Sequence, residues 1–242
     1  MNHVAFIVGL CGPTQADYDG LMWKSKATVP GQPDYNITDY WGKPLAAAGH
    51  DLLVLQWNQS QQNDVTKMGD NIHLMQSLIA AKWGNDQVKI VGHSLGGWAA
   101  TLLAAAMAQV TPLVWGLDPV DPNHATGINL AGIPVPANVP AAYCYHRPPS
   151  NLTPIGNKGP IYSTFFTGAP TTKIKNVVYQ QNDHGWPVWQ HPVINEVIAA
   201  TFPIVQPAPQ PAPVIPTMTL EELTAAVMDL QAWRKTVEAK PQ

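Results

Sequence analysis

The stretch from Gln87 to Ala106 constrains the fold more than any other. Gln87 to Gly92 has the length and apolar character of a strand, Gly92-His93-Ser94-Leu95-Gly96 matches G-x-S-x-G, and Gly96 to Ala106 is rich in helix formers. A strand that becomes a helix within so few residues must turn sharply, and side chains at 92 and 96 would collide with neighbouring backbone. Glycine at both positions removes the collision. Ser94 is then held at the tip of the turn, with backbone N–H groups and the positive helix end directed at whatever lies over it. Gly97, Ala99 and Ala100 keep the helix close to the sheet. The bland alternative is a glycine turn in which Ser94 only caps the helix.

The rest of the chain repeats this alternation. Strands are expected at His3 to Val8, Asp51 to Trp57, Gln87 to Gly92, Val110 to Leu117, Ala141 to Tyr145 and Ile174 to Tyr179. Helices are expected at about Asp64 to Trp83, Leu95 to Gln109 and Pro192 to Ala200, with a further helix ending over Pro44 to Gly49. Strands alternating with helices predict an α/β fold, a mostly parallel sheet of about six strands flanked by helices. Two loose, proline-containing pieces, about Pro119 to Pro140 and His146 to Thr172, are expected to cover the site as loops.

A serine hydroxyl is a weak nucleophile without a base and an acid that orients the base. Asp118 closes the fourth expected strand and His184 lies just after the sixth, so both fall at the carboxyl edge of the sheet with Ser94. Asp121, three residues on, is the second choice of acid. Asp183 adjoins His184, but adjacent side chains diverge in extended chain. His191, before Pro192, reads as a packing or capping residue, and His93 as a packing residue. His124 and His146 are placed to line a pocket. For His184 the bland alternative is a surface loop histidine. Two backbone donors are needed for a developing oxyanion: the N–H of Leu95, after the serine, and that of Leu10, in the Gly9-Leu10-Cys11-Gly12 turn.

These residues resemble a known family. Gly92-His93-Ser94-Leu95-Gly96-Gly97 is similar to the nucleophile elbow of lipases in the α/β-hydrolase superfamily, and Gly116-Leu117-Asp118-Pro119 resembles the acid segment of the pancreatic-type lipases. In that group the acid follows the strand directly after the nucleophile helix, which suits the position of Asp118. The resemblance covers roughly residues 3 to 202 and implies a compact α/β-hydrolase, a serine esterase that works through an acyl-enzyme with Ser94, His184 and Asp118. Three departures stand out. Val8-Gly9 replaces the usual His-Gly of the oxyanion strand, the chain begins at the third strand of the full fold, and the lipid-binding companion domain is missing.

Composition sets the remaining limits. Net charge is −3 and only 12% of the 242 residues are charged, without a basic cluster, so nucleic acid is an unexpected partner. No metal or cofactor is implied. No run approaches the roughly 20 apolar residues of a membrane helix. No secretory signal is legible, so the expected location is cytoplasmic, with release by lysis or a non-Sec route compatible. Cys11 and Cys144 read as two buried thiols rather than a disulfide. Trp57, Trp98, Tyr143, Tyr145, Trp186 and Trp189 suggest an apolar acyl pocket for a small-molecule or lipid ester, or simply core. The expected organisation is a catalytic domain at 1–202, a proline-rich linker at 203–217 and an amphipathic helix at 218–242. In that helix Leu220, Leu223, Val227, Leu230 and Val237 form a heptad seam over 219–238, a candidate for homo-oligomerisation or docking. Other readings are a cell-envelope or phage-type lipid esterase, a thioesterase, or a non-catalytic assembly protein on a hydrolase scaffold.

Overall fold

The structure is a computed structural model of the 242-residue chain. It describes residues 2–11, 37–58, 65–107, 110–121, 131–148, 153–154, 160–161, 163–181 and 184–203. The chain divides into two compact units, Met1–Pro203 and Ile204–Gln242. The described residues all lie in the first; the expected linker and C-terminal helix lie outside them, as do His124 and Asp183.

Six strands form one sheet: β1 (Asn2–Cys11), β2 (His50–Asn58), β3 (Val88–His93), β4 (Leu113–Leu117), β6 (Ala141–His146) and β10 (Lys173–Val178). They are ordered β10-β6-β4-β3-β1-β2, and every neighbouring pair is parallel. All six expected strands are therefore in one sheet. Helices α1 (Ile37–Ala47), α2 (Val65–Trp83), α3 (Leu95–Ala106) and α4 (His191–Ala199) cross between them or close the body.

Strand residues alternate between two apolar layers because successive side chains point to opposite faces. Ala5 and Ile7 of β1, Val88 and Ile90 of β3 and Val114 of β4 join Ile72, Met75 and Ile79 of α2 and Ala99, Ala100 and Leu103 of α3. Val4, Phe6 and Val8 of β1, Val91 of β3, and Trp115 and Leu117 of β4 join the other layer. There they meet Ile37, Trp41 and Leu45 of α1 and Val193, Ile194 and Val197 of α4. Burial on both faces explains why these strands read as near-continuous apolar runs.

Three of the boundaries that differ from the sequence expectation have a plain physical reason. β4 begins at Leu113 rather than Val110, because Pro112 has no N–H for the ladder and Val110 N–H turns back to Met107 O at 3.0 Å. The helix α3 ends at Ala106, before Gln109, with the N–H of Met107 bonded to Leu103 O. The helix before Gly49 is a full eleven residues and contains Pro44. Its stripe of Ile37, Trp41 and Leu45 at spacings of four outweighs the missing proline donor.

The loose pieces are not wholly irregular. β5 (Ile133–Val135) pairs in parallel with β9 (Phe166–Gly168), and β7 (Thr153–Pro154) pairs antiparallel with β8 (Pro160–Ile161). Strands of two or three residues leave no periodicity to read. Phe166 is pinned by a reciprocal pair: its N–H donates to Asn176 Oδ1 at 3.1 Å, and Asn176 Nδ2 donates to its carbonyl at 3.0 Å. Its ring fills the space left by Gly116, where a Cβ would stand 2.5 Å from Phe166 Cζ.

Candidate active site

Strand order places the site. The chain steps outward from β1 to β2 on one side, and from β3 to β4 on the other. The carboxyl ends of β1 and β3 therefore flank a topological switch point, where open parallel sheets form their ligand crevice. Gly9-Leu10 ends one of these strands, and Ser94 follows the other.

Ser94 has φ 59° and ψ −129°, a left-handed backbone that a non-glycine residue adopts only when its surroundings enforce it. The enforcement is visible. Ser94 N–H donates to Leu117 O at 3.1 Å, and Ser94 O accepts from Gly97 N at 2.9 Å and Val120 N at 3.0 Å. A Cβ on Gly92 would lie 2.1 Å from Gly96 O, and one on Gly96 would lie 2.3 Å from Ile7 O. Both glycines are thus steric requirements of the turn. Ser94 makes no side-chain capping bond to α3, so the capping alternative fails.

Asp118 is the second strained residue, with φ 48°. Its N–H is fixed to Tyr145 O at 2.7 Å, which turns the side chain back over the end of the sheet. The carboxylate is fully buried, and Oδ2 lies 2.5 Å from His184 Nδ1. The carboxylate can only accept, so Nδ1 carries the proton of this bond and Nε2 lies on the far side of the ring from Asp118. Ser94 Oγ and His184 Nε2 are both buried, and neither has a hydrogen-bond partner among the described residues. Bonds of this kind commonly close only around a substrate.

The segment that carries His184 is held by side chains from two elements. His93 Nε2 donates to the His184 carbonyl at 3.0 Å, and the two rings lie 4.6 Å apart. From α1, Trp41 Nε1 donates to Val188 O at 2.9 Å and Tyr40 Oη to Trp189 O at 2.7 Å. His93 was expected only to pack; it also fixes the neighbouring histidine's backbone. Burial, followed by the charge of His184, pushes the His93 pKa down to about 3, so it stays neutral.

The structure adds a residue that sequence reasoning did not find. Arg147, just past β6 and fully buried, donates Nε to Asp118 Oδ2 at 2.8 Å and sets Nη2 at 2.8 Å from the same oxygen. Its backbone N–H reaches Asp118 Oδ1 at 3.3 Å and Ser163 Oγ at 3.2 Å. Burial raises the Asp118 pKa. The hydrogen bond and charge of His184, the charge of Arg147 and a hydrogen bond from Ser163 outweigh it, leaving the carboxyl below its ordinary value. The only sequence signal was a lone arginine beside a strand end, and no spacing rule links it to Asp118.

The other candidates lie elsewhere. Asp121 is nearly buried in the loop after β4, and the carboxylate that meets His184 is Asp118. His191 opens α4 and packs its ring 5.1 Å from Tyr40, with no capping bond from the preceding residue. His146 turns its Nδ1 to the Arg147 carbonyl and its ring toward Phe165. Cys144 is a free, buried thiol whose pKa burial pushes up.

Of the six aromatics expected at a pocket, Trp57 and Trp98 meet edge-on at 5.4 Å in the layer of α3, beside Leu95. Tyr143 stacks on Trp115, while Tyr145 and Trp189 pack into the α4 layer, and Trp186 stacks on Tyr179. All four make packing contacts within the body.

Where the sequence leads one to expect backbone donors, β1 lies directly against the serine turn. A Cβ on Gly9 would stand 2.6 Å from Leu95 N. The ladder between β1 and β2 slips between Val8 and Cys11, a bulge centred on Gly9-Leu10. Bulges of this type re-aim backbone groups at the rim of a sheet.

The parallel strand order, with the Ser94 turn after β3 and Asp118 after β4, is that of an α/β-hydrolase fold. No protein-family model and no curated protein matches the chain. Among solved structures it is similar to the putative cell surface hydrolase from Lactobacillus plantarum WCFS1, with TM-score 0.46, 12% identity, and 82% of this chain and 88% of that one covered. It is also similar to the NocB thioesterase domain of the nocardicin cluster (TM-score 0.46, 11% identity, 82% and 91% covered). A third is ClbQ of the colibactin pathway (TM-score 0.44, 12% identity, 82% and 96% covered). At these scores the likeness assigns no activity and no residue to this chain.

Proposed function

We propose that the chain is a serine hydrolase of carboxylic esters, of the lipase-like kind that the Gly-His-Ser-Leu-Gly-Gly turn resembles. One observation carries this reading. A strained, uncapped Ser94 sits at the switch point of the sheet, and a histidine oriented by a buried carboxylate reaches the same edge. Such strain has no structural return for a mere capping serine.

In the proposed reaction His184 Nε2 takes the Ser94 proton as Oγ attacks the ester carbonyl. Asp118 holds the imidazole tautomer and stabilises the imidazolium. The N–H groups of Leu95 and Leu10 receive the oxyanion, the second from the bulge on β1. His184 then protonates the leaving alcohol, and water attacks the acyl-enzyme with the same proton route reversed. Every proton and oxygen is supplied by the chain, the ester and water.

Hydrolysis of p-nitrophenyl esters from acetate to palmitate, with Ser94→Ala beside wild type, tests the reading. The variant should lose at least about 10⁴-fold in turnover while keeping its fold. A fluorophosphonate should label wild type at Ser94 and leave the variant unlabelled. Absence of both turnover and labelling in folded wild type overturns the enzyme reading in favour of a scaffold. Labelling with turnover of acyl thioesters alone would move the substrate class to thioesters.

A further inference from the structure

The acid Asp118 is engaged more heavily than an orienting carboxylate needs to be. Its Oδ2 meets three groups, His184 Nδ1 at 2.5 Å, Arg147 Nε at 2.8 Å and Arg147 Nη2 at 2.8 Å, and both charged side chains of the Asp118–Arg147 pair are fully buried. An arginine is charged at every working pH, so the carboxylate already has a permanent counter-charge before His184 acquires a proton. An acid that is free of such a partner supplies a full negative charge to the imidazolium. Here the histidine donates a short hydrogen bond to a carboxylate whose pair with Arg147 carries no net charge.

Resting on the proposed hydrolase reading, we propose that Arg147 is a positioning residue that fixes the acid and neutralises its charge, and so governs how readily the histidine it orients can serve as base. Other groups facing this cluster do not supply that charge. His93 from β3 is buried and neutral, and Cys144 from β6 is a buried thiol whose pKa is raised. His146 from β6 turns its Nδ1 to the Arg147 carbonyl, and Ser163 contributes a neutral hydroxyl. Asp121, in the loop after β4, is the remaining described acid nearby in sequence.

Removing the guanidinium would leave the Asp118 carboxylate buried with His184 as its sole cationic partner. The proton that balances the charge would then rest on His184, which could not accept one from Ser94 until the pH rose.

The test is the pH profile of kcat/KM on a p-nitrophenyl ester for wild type, Arg147→Gln and Arg147→Lys, with fluorophosphonate labelling and circular dichroism on each. Arg147→Gln should move the acid limb up by about one pH unit or more, with a deficit that shrinks at alkaline pH. Arg147→Lys, which keeps a cation but loses the planar fork, should lower kcat while leaving KM and the acid limb in place. A folded Arg147→Gln protein impaired equally at every pH would show a purely structural arginine and overturn the proposal. Should that variant fail to fold, an Arg147→Lys protein with a displaced acid limb, or with raised KM and unchanged kcat, overturns it instead. Failure of wild type to label at Ser94 would sink the hydrolase reading itself, whereas labelled wild type with unmoved variant profiles would sink only the role of Arg147.

Discussion

Single atoms decide the geometry of this site. Gly96 cannot carry a methyl group without meeting Ile7 O at 2.3 Å, and the contact is backbone on both sides, so nothing flexible can give way. Gly96→Ala should destabilise the body by about 3 kcal/mol or more and abolish Ser94 labelling, as urea unfolding and a fluorophosphonate will show. His93 has a gentler role. Its Nε2 holds the carbonyl of His184, and a ring of similar size without the donor would still fill the space. His93→Phe should therefore stay folded but lose about 10- to 100-fold in kcat/KM on a p-nitrophenyl ester, through a misplaced His184. The serine, the acid, the histidine and the glycines that frame the turn were legible in the sequence, because each has a fixed place relative to a strand end. Arg147, Ser163 and the tether from His93 were not, because they depend on which strand ends lie side by side.

Helix α4 shows how one side chain can join several elements. Glu196 accepts from Trp115 Nε1 of β4 at 3.1 Å through one oxygen and pairs with Lys175 Nζ of β10 at 2.5 Å through the other. The Lys175 side chain is exposed, so that ion pair contributes little, while the buried indole N–H of Trp115 depends on this carboxylate as its acceptor. Glu196→Gln retains an acceptor for Trp115 and should cost less than about 1 kcal/mol. Glu196→Ala should cost about 1–3 kcal/mol, since it leaves a buried donor unmatched. Urea midpoints of the two variants will separate these outcomes. Helices and strands of ordinary length could be placed from periodicity and end signals. What escaped were the two- and three-residue strands β5, β7, β8 and β9, and the first turns of α1, which precede Pro44.

At the scale of the whole molecule, buried titratable groups should make the body less stable in acid. His93 is held to about 3, and His50 is lowered by burial, then by the charges of Lys89 and His3. The unfolded chain takes up protons at both positions as pH falls below about 6.5, whereas the folded chain resists. Asp118, lowered in the folded state, loses its stabilising contribution as pH falls below its ordinary value of about 4. All three therefore weaken the fold in the same direction. The urea midpoint should fall steadily from pH 7 to pH 4, and the fall should be shallower in His93→Phe, which has no proton to take up at that position. The sequence by itself determined the α/β class, the six strands and the residues that could carry acyl-transfer chemistry, because periodicity, strand length and the glycine-framed turn are local properties. Only the tertiary structure decided the strand order and the switch point between β1 and β3. It also decided the packing partners of the aromatic side chains and the pairing of Arg147 with Asp118. Those depend on which distant segments become neighbours, and a buried charge pair is set by the space and solvent exclusion that the neighbours create.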